Sequence, residues 1–149
     1  MKAKYAHTNL IAEDWRKLAR FYEEVFDCEP VPPERDYRGE NLEAATGIEG
    51  AALRGMHLRL PGYGAEGPTI EIFEYEEVER RERPAINRPG FAHIAFAVDD
   101  VAAVRDEVLA AGGSEYGELT VFKTAHGCQV TMVYLADPEG NIIELQTWG

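Results

Sequence analysis

The sequence predicts an α+β fold in which two βαβββ modules in tandem form a curved cup of mixed or antiparallel sheet with helices outside. Two internal matches support this prediction. The segment AHTNLIAED, starting at Ala6, returns as AHIAFAVDD, starting at Ala92, and TIEIFEY from Thr69 is matched by NIIELQTW from Asn141. Similarity of this kind within a chain indicates one structural module used twice.

The boundary between the two copies is marked by the run EEVERRERPAINRPG, which is dense in charge and proline. Such a composition is typical of a connecting segment rather than of a strand or helix. A chain of 149 residues is long enough for one compact domain with a sizeable core. We therefore expect a single domain over 1–149, with module one at 1–76, a linker at 77–89 and module two at 90–149.

Module one begins with an alternating segment that is typical of a strand. Asp14 is a suitable N-cap for the apolar stripe that follows, and Pro30, Pro32 and Pro33 cannot continue a helix. The expected elements are a strand at 3–12, a helix from Asp14 to near Asp27, a loop at 34–50 containing a short helix at 42–46, and strands at 51–60 and 69–75.

Module two repeats this order. Gly112 and Gly113 are expected to end its helix, and the sequence DPEG is a turn between its last two strands. The expected elements are a strand at 91–98, a helix at about 100–111, a poorly defined strand at 115–124, and strands at 128–136 and 141–148.

Composition excludes several classes of function. The net charge of −12 leaves no basic surface for nucleic acid and disfavours anionic membranes. No segment has the length and apolar character of a signal peptide or a membrane span, so we expect a cytoplasmic protein. Cys28 and Cys128 are too few for a disulfide framework and are expected to be free thiols.

The internal repeat places two histidines and two glutamates at matching positions, namely His7 with His93 and Glu71 with Glu144. Each glutamate lies in the middle of a mostly apolar strand face, where an uncompensated carboxylate would cost several kcal/mol. A divalent cation would compensate it. Two imidazoles and two carboxylates suit Zn, Ni, Mn, Fe or Co, so the sequence predicts a site for one divalent metal ion.

Six further side chains share strand faces with these four residues and are candidates for the lining of a substrate pocket. The alternative is that the aromatic members belong to the core. The six are Tyr5, Asn9, Phe73, Tyr75, Gln146 and Trp148.

The paired modules, the AHTNL and AHIAF strands and DPEGNIIEL resemble the vicinal oxygen chelate superfamily, which includes glyoxalase I, extradiol dioxygenases, fosfomycin-resistance transferases and bleomycin-binding proteins. By this resemblance, His7, Glu71, His93 and Glu144 fill the four metal-ligand places of glyoxalase I. The resemblance also implies a homodimer. Two positions depart from the bacterial glyoxalase pattern, because Ile11 and Tyr75 stand where that family has glutathione-binding arginine and asparagine. The substrate is therefore not expected to be glutathione-based.

The resemblance implies a lyase, isomerase or epimerase that abstracts a proton next to a carbonyl and passes through a metal-bound enediolate. Glu144 and Glu71 are both candidates for the catalytic base. The substrate would be a small molecule with adjacent oxygens, or with an acidic C–H beside a carbonyl. Two alternatives stay open, namely an Fe(II) dioxygenase of the same superfamily and a non-catalytic protein that sequesters an antibiotic.

Overall fold

The computed structural model describes residues 3–80 and 82–149, which fold as two units that divide after Arg80. The α+β class is confirmed, with three helices and two mixed sheets in the described ranges. The division between the units lies within residues 77–89, while the single domain over 1–149 stays a prediction. None of the described helices is both long and apolar enough to cross a membrane.

The first unit is a four-stranded sheet with a helix packed on one face. Its strands lie in the order β1-β4-β3-β2, with β1 parallel to β4 and the other pairs antiparallel. Its elements are β1 (His7–Ile11), α1 (Trp15–Phe26), β2 (Glu29–Arg38), α2 (Glu40–Thr46), β3 (Ala52–Arg59) and β4 (Thr69–Tyr75).

Helix α1 begins and ends where the sequence predicts. The Asp14 side chain accepts a hydrogen bond from the backbone N–H of Lys17 at 3.0 Å, which satisfies one of the free donors of the first turn. Asp27 closes the helix in a left-handed conformation with φ of 52°. The apolar stripe of α1 contacts β3 and β4, and the fully buried side chains there are Leu18, Tyr22, Leu58, Ile70 and Ile72.

This packing decides which way the candidate glutamate points. Ile70 and Ile72 are fully buried in the core beneath α1. Successive side chains of a strand point to opposite faces, so Glu71 and Phe73 lie on the face away from that helix. We call this surface of the first sheet the Glu71 face.

The second unit has a comparable plan. Its strands lie in the order β5-β9-β8-β6, and β7 also pairs with β8. Its elements are β5 (Ile94–Ala97), α3 (Val101–Ala110), β6 (Ser114–Glu115), β7 (Thr120–Lys123), β8 (Gln129–Ala136) and β9 (Ile142–Trp148). Asp100 caps the N-terminus of α3, and its side chain accepts from the N–H groups of Ala102 and Ala103. The helix contacts β8 and β9.

The turn between β8 and β9 is held by Asp137, which is only 2% exposed. Its Oδ1 accepts from the backbone N–H groups of Glu139 and Asn141, both at 2.9 Å. Its Oδ2 accepts from the Asn141 side chain at 2.8 Å. These bonds fix the register of the two strands that the turn connects.

Several boundaries differ from the sequence prediction. Residues 34–38, expected as loop, continue β2, and helix α2 starts before the expected residue 42. Proline is tolerated in β2 because this is an edge strand whose pairing with β3 shifts between Val31 and Arg35. Strands β1 and β5 are shorter than expected, and the poorly defined strand at 115–124 is replaced by β6 and β7.

Candidate functional site

In the first unit, the candidate pair of His7 and Glu71 is close together. His7 opens β1 and Glu71 lies in the middle of the adjacent β4. Nδ1 of His7 is 3.4 Å from Oε1 of Glu71. The glutamate side chain is mostly buried, at 13% exposure, and the histidine is half exposed. The parallel pairing of β1 with β4 therefore brings the two side chains together.

In the second unit, His93 and Glu144 form the matching pair. Nε2 of His93 is 3.0 Å from Oε2 of Glu144, and the glutamate side chain is 12% exposed. His93 immediately precedes β5 rather than lying inside the strand, where the sequence predicts it. The strand pairing is again parallel, between β5 and β9. Each unit thus brings its own histidine and glutamate within 3.0–3.4 Å.

His57 is a third polar neighbour of Glu71 that sequence reasoning did not assign to the site. It lies directly across from Glu71 in the β3–β4 pairing, and its Nε2 is 3.2 Å from Oε1 of Glu71. Burial lowers the pKa of His57, the charge of Glu71 opposes that change, and Arg35 and His7 reinforce it. A neutral imidazole can donate one hydrogen bond to the carboxylate.

Tyr134 occupies the corresponding place in the second unit, and it was also missed. It lies directly across from Glu144 in the β8–β9 pairing, with its ring 5.2 Å from the ring of His93. Burial raises the pKa of Tyr134, and the charge of Glu144 and a hydrogen bond to Glu144 add to the effect. The phenol therefore stays protonated and donates to the carboxylate.

The signal for Tyr134 was the register of the β8–β9 hairpin, which carries Glu144. Antiparallel partners that face each other share a face of the sheet. The turn DPEG, taken with the strand lengths, would have pointed to Tyr134. The longer connection between β3 and β4 gives no comparable signal for His57, because its register is set by packing.

The described residues contain no group of three or more His, Cys, Asp or Glu side chains arranged to hold a metal ion. The assignment of His7, Glu71, His93 and Glu144 to one ion stays a prediction. What the structure shows is one histidine–glutamate pair within each unit.

The six candidate pocket residues have different surroundings. Nδ2 of Asn9 donates to Oε2 of Glu71 at 3.4 Å, and the ring of Phe73 lies 5.7 Å from that of His57. Trp148 is exposed and donates from Nε1 to Oε1 of Gln146 at 2.9 Å. Tyr75 is half-buried at the end of β4. The sixth residue, Tyr5, precedes β1 and is exposed, with its hydroxyl bonded to that of Thr8.

Gly55 gives Phe73 its position on the Glu71 face. A Cβ added at Gly55 would overlap the carbonyl oxygen of Ile72 and lie 2.5 Å from Cδ1 of Phe73. Only glycine leaves room for this close approach of ring and backbone. The corresponding residue of the second unit, opposite Gln146, is Met132.

Comparison with known proteins gives a consistent result. The family model for the Glyoxalase/Bleomycin resistance protein/Dioxygenase superfamily matches residues 4–145. A probable lactoylglutathione lyase from Vibrio parahaemolyticus serotype O3:K6 is 31% identical over 142 residues, covering 93% of this chain and 86% of that protein.

Solved structures with low sequence identity share the fold. A glyoxalase family protein from Bacillus cereus superposes with a TM-score of 0.84 at 16% identity, covering 99% of this chain and 95% of that one. The fosfomycin resistance protein FosX from Listeria monocytogenes, solved with Mn(II) and sulfate, gives a TM-score of 0.58 at 17% identity, covering 99% and 93%.

Proposed function

The chain belongs to the glyoxalase/bleomycin resistance protein/dioxygenase superfamily, and we propose that it is a metal-dependent lyase, isomerase or epimerase that removes a proton next to a carbonyl. The superfamily includes lyases such as glyoxalase and other enzymes such as FosX. The observation that carries the proposal is the histidine–glutamate pair present in each unit.

The proposed metal ligands are His7, Glu71, His93 and Glu144, and the spacing within each pair fits this role. Two ligand atoms that each lie about 2.1 Å from one ion are about 3.0 Å apart at 90° and about 3.4 Å apart at 109°. The two nitrogen–oxygen distances are 3.4 Å and 3.0 Å. Both values suit neighbouring ligands of a Zn, Ni, Mn, Fe or Co ion.

When bound, the ion would act as a Lewis acid toward the carbonyl oxygen of the substrate. Glu144 or Glu71 takes the proton from the adjacent carbon. Both side chains are mostly buried, which keeps bulk water from competing for that proton. Delivery of a proton to the opposite face of the same carbon gives epimerisation, and its delivery to the neighbouring carbon gives isomerisation.

The proposed substrate is a small molecule without a glutathione moiety. The name of the Vibrio relative refers to a glutathione-containing substrate, but that role is not proposed for this chain. Ile11 is 42% exposed at the end of β1, and Tyr75 lies at the end of β4. An aliphatic and an aromatic group at these positions cannot replace the charged and amide contacts that hold glutathione in bacterial glyoxalase I.

Metal analysis of protein purified without added metal tests the proposal. We expect a bound divalent ion in the wild type, and a loss of at least about 100-fold in metal affinity in Glu71→Gln and in Glu144→Gln. Glu118→Gln is the control, because this residue is exposed on a loop before β7. A wild-type protein with no affinity for any of the five metals would contradict the proposal.

Solvent-deuterium incorporation into small α-hydroxycarbonyl compounds tests the reaction. We expect exchange with the metal-loaded wild type and a loss of about 100- to 10,000-fold when the catalytic glutamate is replaced. Bound iron with substrate-dependent oxygen consumption would instead indicate the dioxygenase. Tight binding of an aromatic antibiotic without metal or turnover would indicate the sequestering protein.

A further inference from the structure

We propose that Arg35 binds an anionic group of the substrate, either a carboxylate or a phosphate-type oxyanion, on the Glu71 face of the first unit. This inference rests on the proposed function, because it concerns the substrate of that same site. All of the residues that carry it lie in the first unit.

Strand register places Arg35 on the Glu71 face. In the pairing of β2 with β3, Val31 lies opposite His57 and Arg35 lies opposite Gly55. Residues that face each other across antiparallel strands point to the same side of the sheet. His57 in turn lies opposite Glu71. The arginine therefore lies on the same side as the candidate glutamate, two strands away.

The Arg35 side chain folds back along an irregularity in β2. The register shifts between Val31 and Arg35, so that three residues of β2 oppose a single residue of β3. Such bulges re-aim side chains and are frequent beside active sites. Nη1 of Arg35 donates to the carbonyl oxygens of Val31, at 3.4 Å, and Pro33. The guanidinium is thereby folded back toward Val31, the residue that lies opposite His57.

Arg35 has no acidic partner in the described part of the chain. The sequence has 27 acidic residues against 15 Lys and Arg. Nearby Arg38 pairs with both Asp36 and Glu76. Among the described residues, neither Nε nor Nη2 of Arg35 has a protein acceptor, and these two groups form the fork that matches an oxyanion.

The position of this charge also suggests the size of the substrate. In bacterial glyoxalase I an arginine stands at the place of Ile11, which lies on β1, whereas Arg35 lies on β2 at the opposite edge of the sheet. The β2 strand is two spacings, or about 10 Å, from the strand that carries Glu71. A molecule with a few carbons between its adjacent oxygens and its anionic group would span this distance together with the arginine side chain.

Titration of metal-free protein with inorganic phosphate and with acetate tests the anion site alone. We expect the Nε–H NMR signal of Arg35, assigned by its loss in Arg35→Lys, to shift saturably. The same shift should persist in Arg54→Ala, which removes an arginine from the other face of β3 where it pairs with Glu74. An Arg35 signal that does not respond to either anion would overturn the inference, whatever the metal content of the protein.

Binding of hydroxamates to metal-loaded protein tests the link to the site. We expect Arg35→Ala to weaken succinic monohydroxamate and a phosphonate-bearing hydroxamate by about 10- to 100-fold, while neutral acetohydroxamate changes by less than about twofold. The tighter of the two anionic probes identifies the carboxylate or the phosphate-type group. Equal weakening of acetohydroxamate would indicate a structural role and overturn the inference. A wild type that takes up no metal would instead contradict the proposed function.

Discussion

The two units share a plan but differ in the residues that surround their glutamates. Oε1 of Glu71 is near two imidazoles, those of His7 and His57, and its Oε2 accepts from Asn9. Glu144 is near one imidazole, that of His93, and bonds to Tyr134. Ala95 stands opposite Glu144 where Asn9 stands opposite Glu71. The repeat thus preserves the pair and changes its neighbours.

The repeat alone therefore does not make the two glutamates equivalent. The neighbour on the adjacent antiparallel strand is an imidazole in one unit and a phenol in the other. Each donates a hydrogen bond, but the imidazole also carries a ring nitrogen that accepts one. Matched changes in the two units test how far they differ.

The largest expected difference concerns the cysteines, one in each unit. Cys28 is buried, and burial, with the charges of Asp27 and Glu23, raises its pKa to about 12, whereas Cys128 is exposed. At pH 9 only about one Cys28 thiol in a thousand is then the reactive thiolate. We expect a disulfide reagent to modify Cys28→Ser rapidly and Cys128→Ser about a thousandfold more slowly.

The same raised pKa has a consequence for stability. The folded state favours the neutral thiol of Cys28. In the unfolded chain this thiol ionises at about pH 8.5. The stabilisation is therefore complete below about pH 8.5 and decreases as the pH rises toward 12. Between about pH 8 and about pH 10, the free energy of unfolding measured with denaturant should decrease less in Cys28→Ser than in the wild type. An equal decrease in the wild type and in Cys28→Ser would contradict the raised pKa of Cys28.

The next effect concerns glycine packing on the Glu71 face. Gly55→Ala should lower the free energy of unfolding by about 2–3 kcal/mol, because its new Cβ would meet the Ile72 carbonyl and the Phe73 ring. The control is Gly117→Ala in the second unit, where the nearest atom to a new Cβ is 3.9 Å away. That change should stay within about 0.5 kcal/mol in denaturant unfolding. Equal losses of unfolding free energy in the two variants would contradict the role of Gly55 in packing.

The smallest effect concerns the neighbours of the glutamates. His57→Gln and Tyr134→Phe should each lower metal affinity, by about 10- to 100-fold for the histidine and about tenfold or less for the tyrosine, because outer hydrogen bonds orient ligating carboxylates. Competitive titration with Co(II), read from its absorption spectrum, measures both. Without metal, both variants should unfold at the same denaturant concentration as the wild type. Unchanged metal affinity in both variants would contradict an orienting role for His57 and Tyr134.

Local patterns predicted much of the fold. Helix α1 follows from the Asp14 cap and the prolines beyond Asp27, and β4 follows from its alternation within TIEIFEY. Strand β2 was missed because its prolines indicate a loop, although an edge strand with shifted pairing tolerates them. The strand status of such a segment depends on its partner β3, which no local pattern reveals.

The candidate site was predicted only where the repeat marks it. His7, Glu71, His93 and Glu144 stand out because each has a counterpart, and each histidine is near its glutamate. His57 and Tyr134 differ from one another, so self-comparison cannot detect them. Their places depend on cross-strand register, which is set by side-chain packing and by turn geometry.

The two hairpins that carry the glutamates suit different uses in protein engineering. The β8–β9 turn is tied by Asp137, so added residues there would pull Glu144 out of alignment with Tyr134. The β3–β4 connection spans residues 60–68, with Gly62 and Gly64 open to solvent. A fluorophore tag or a peptide graft placed at that connection would report on the first unit without displacing Glu71.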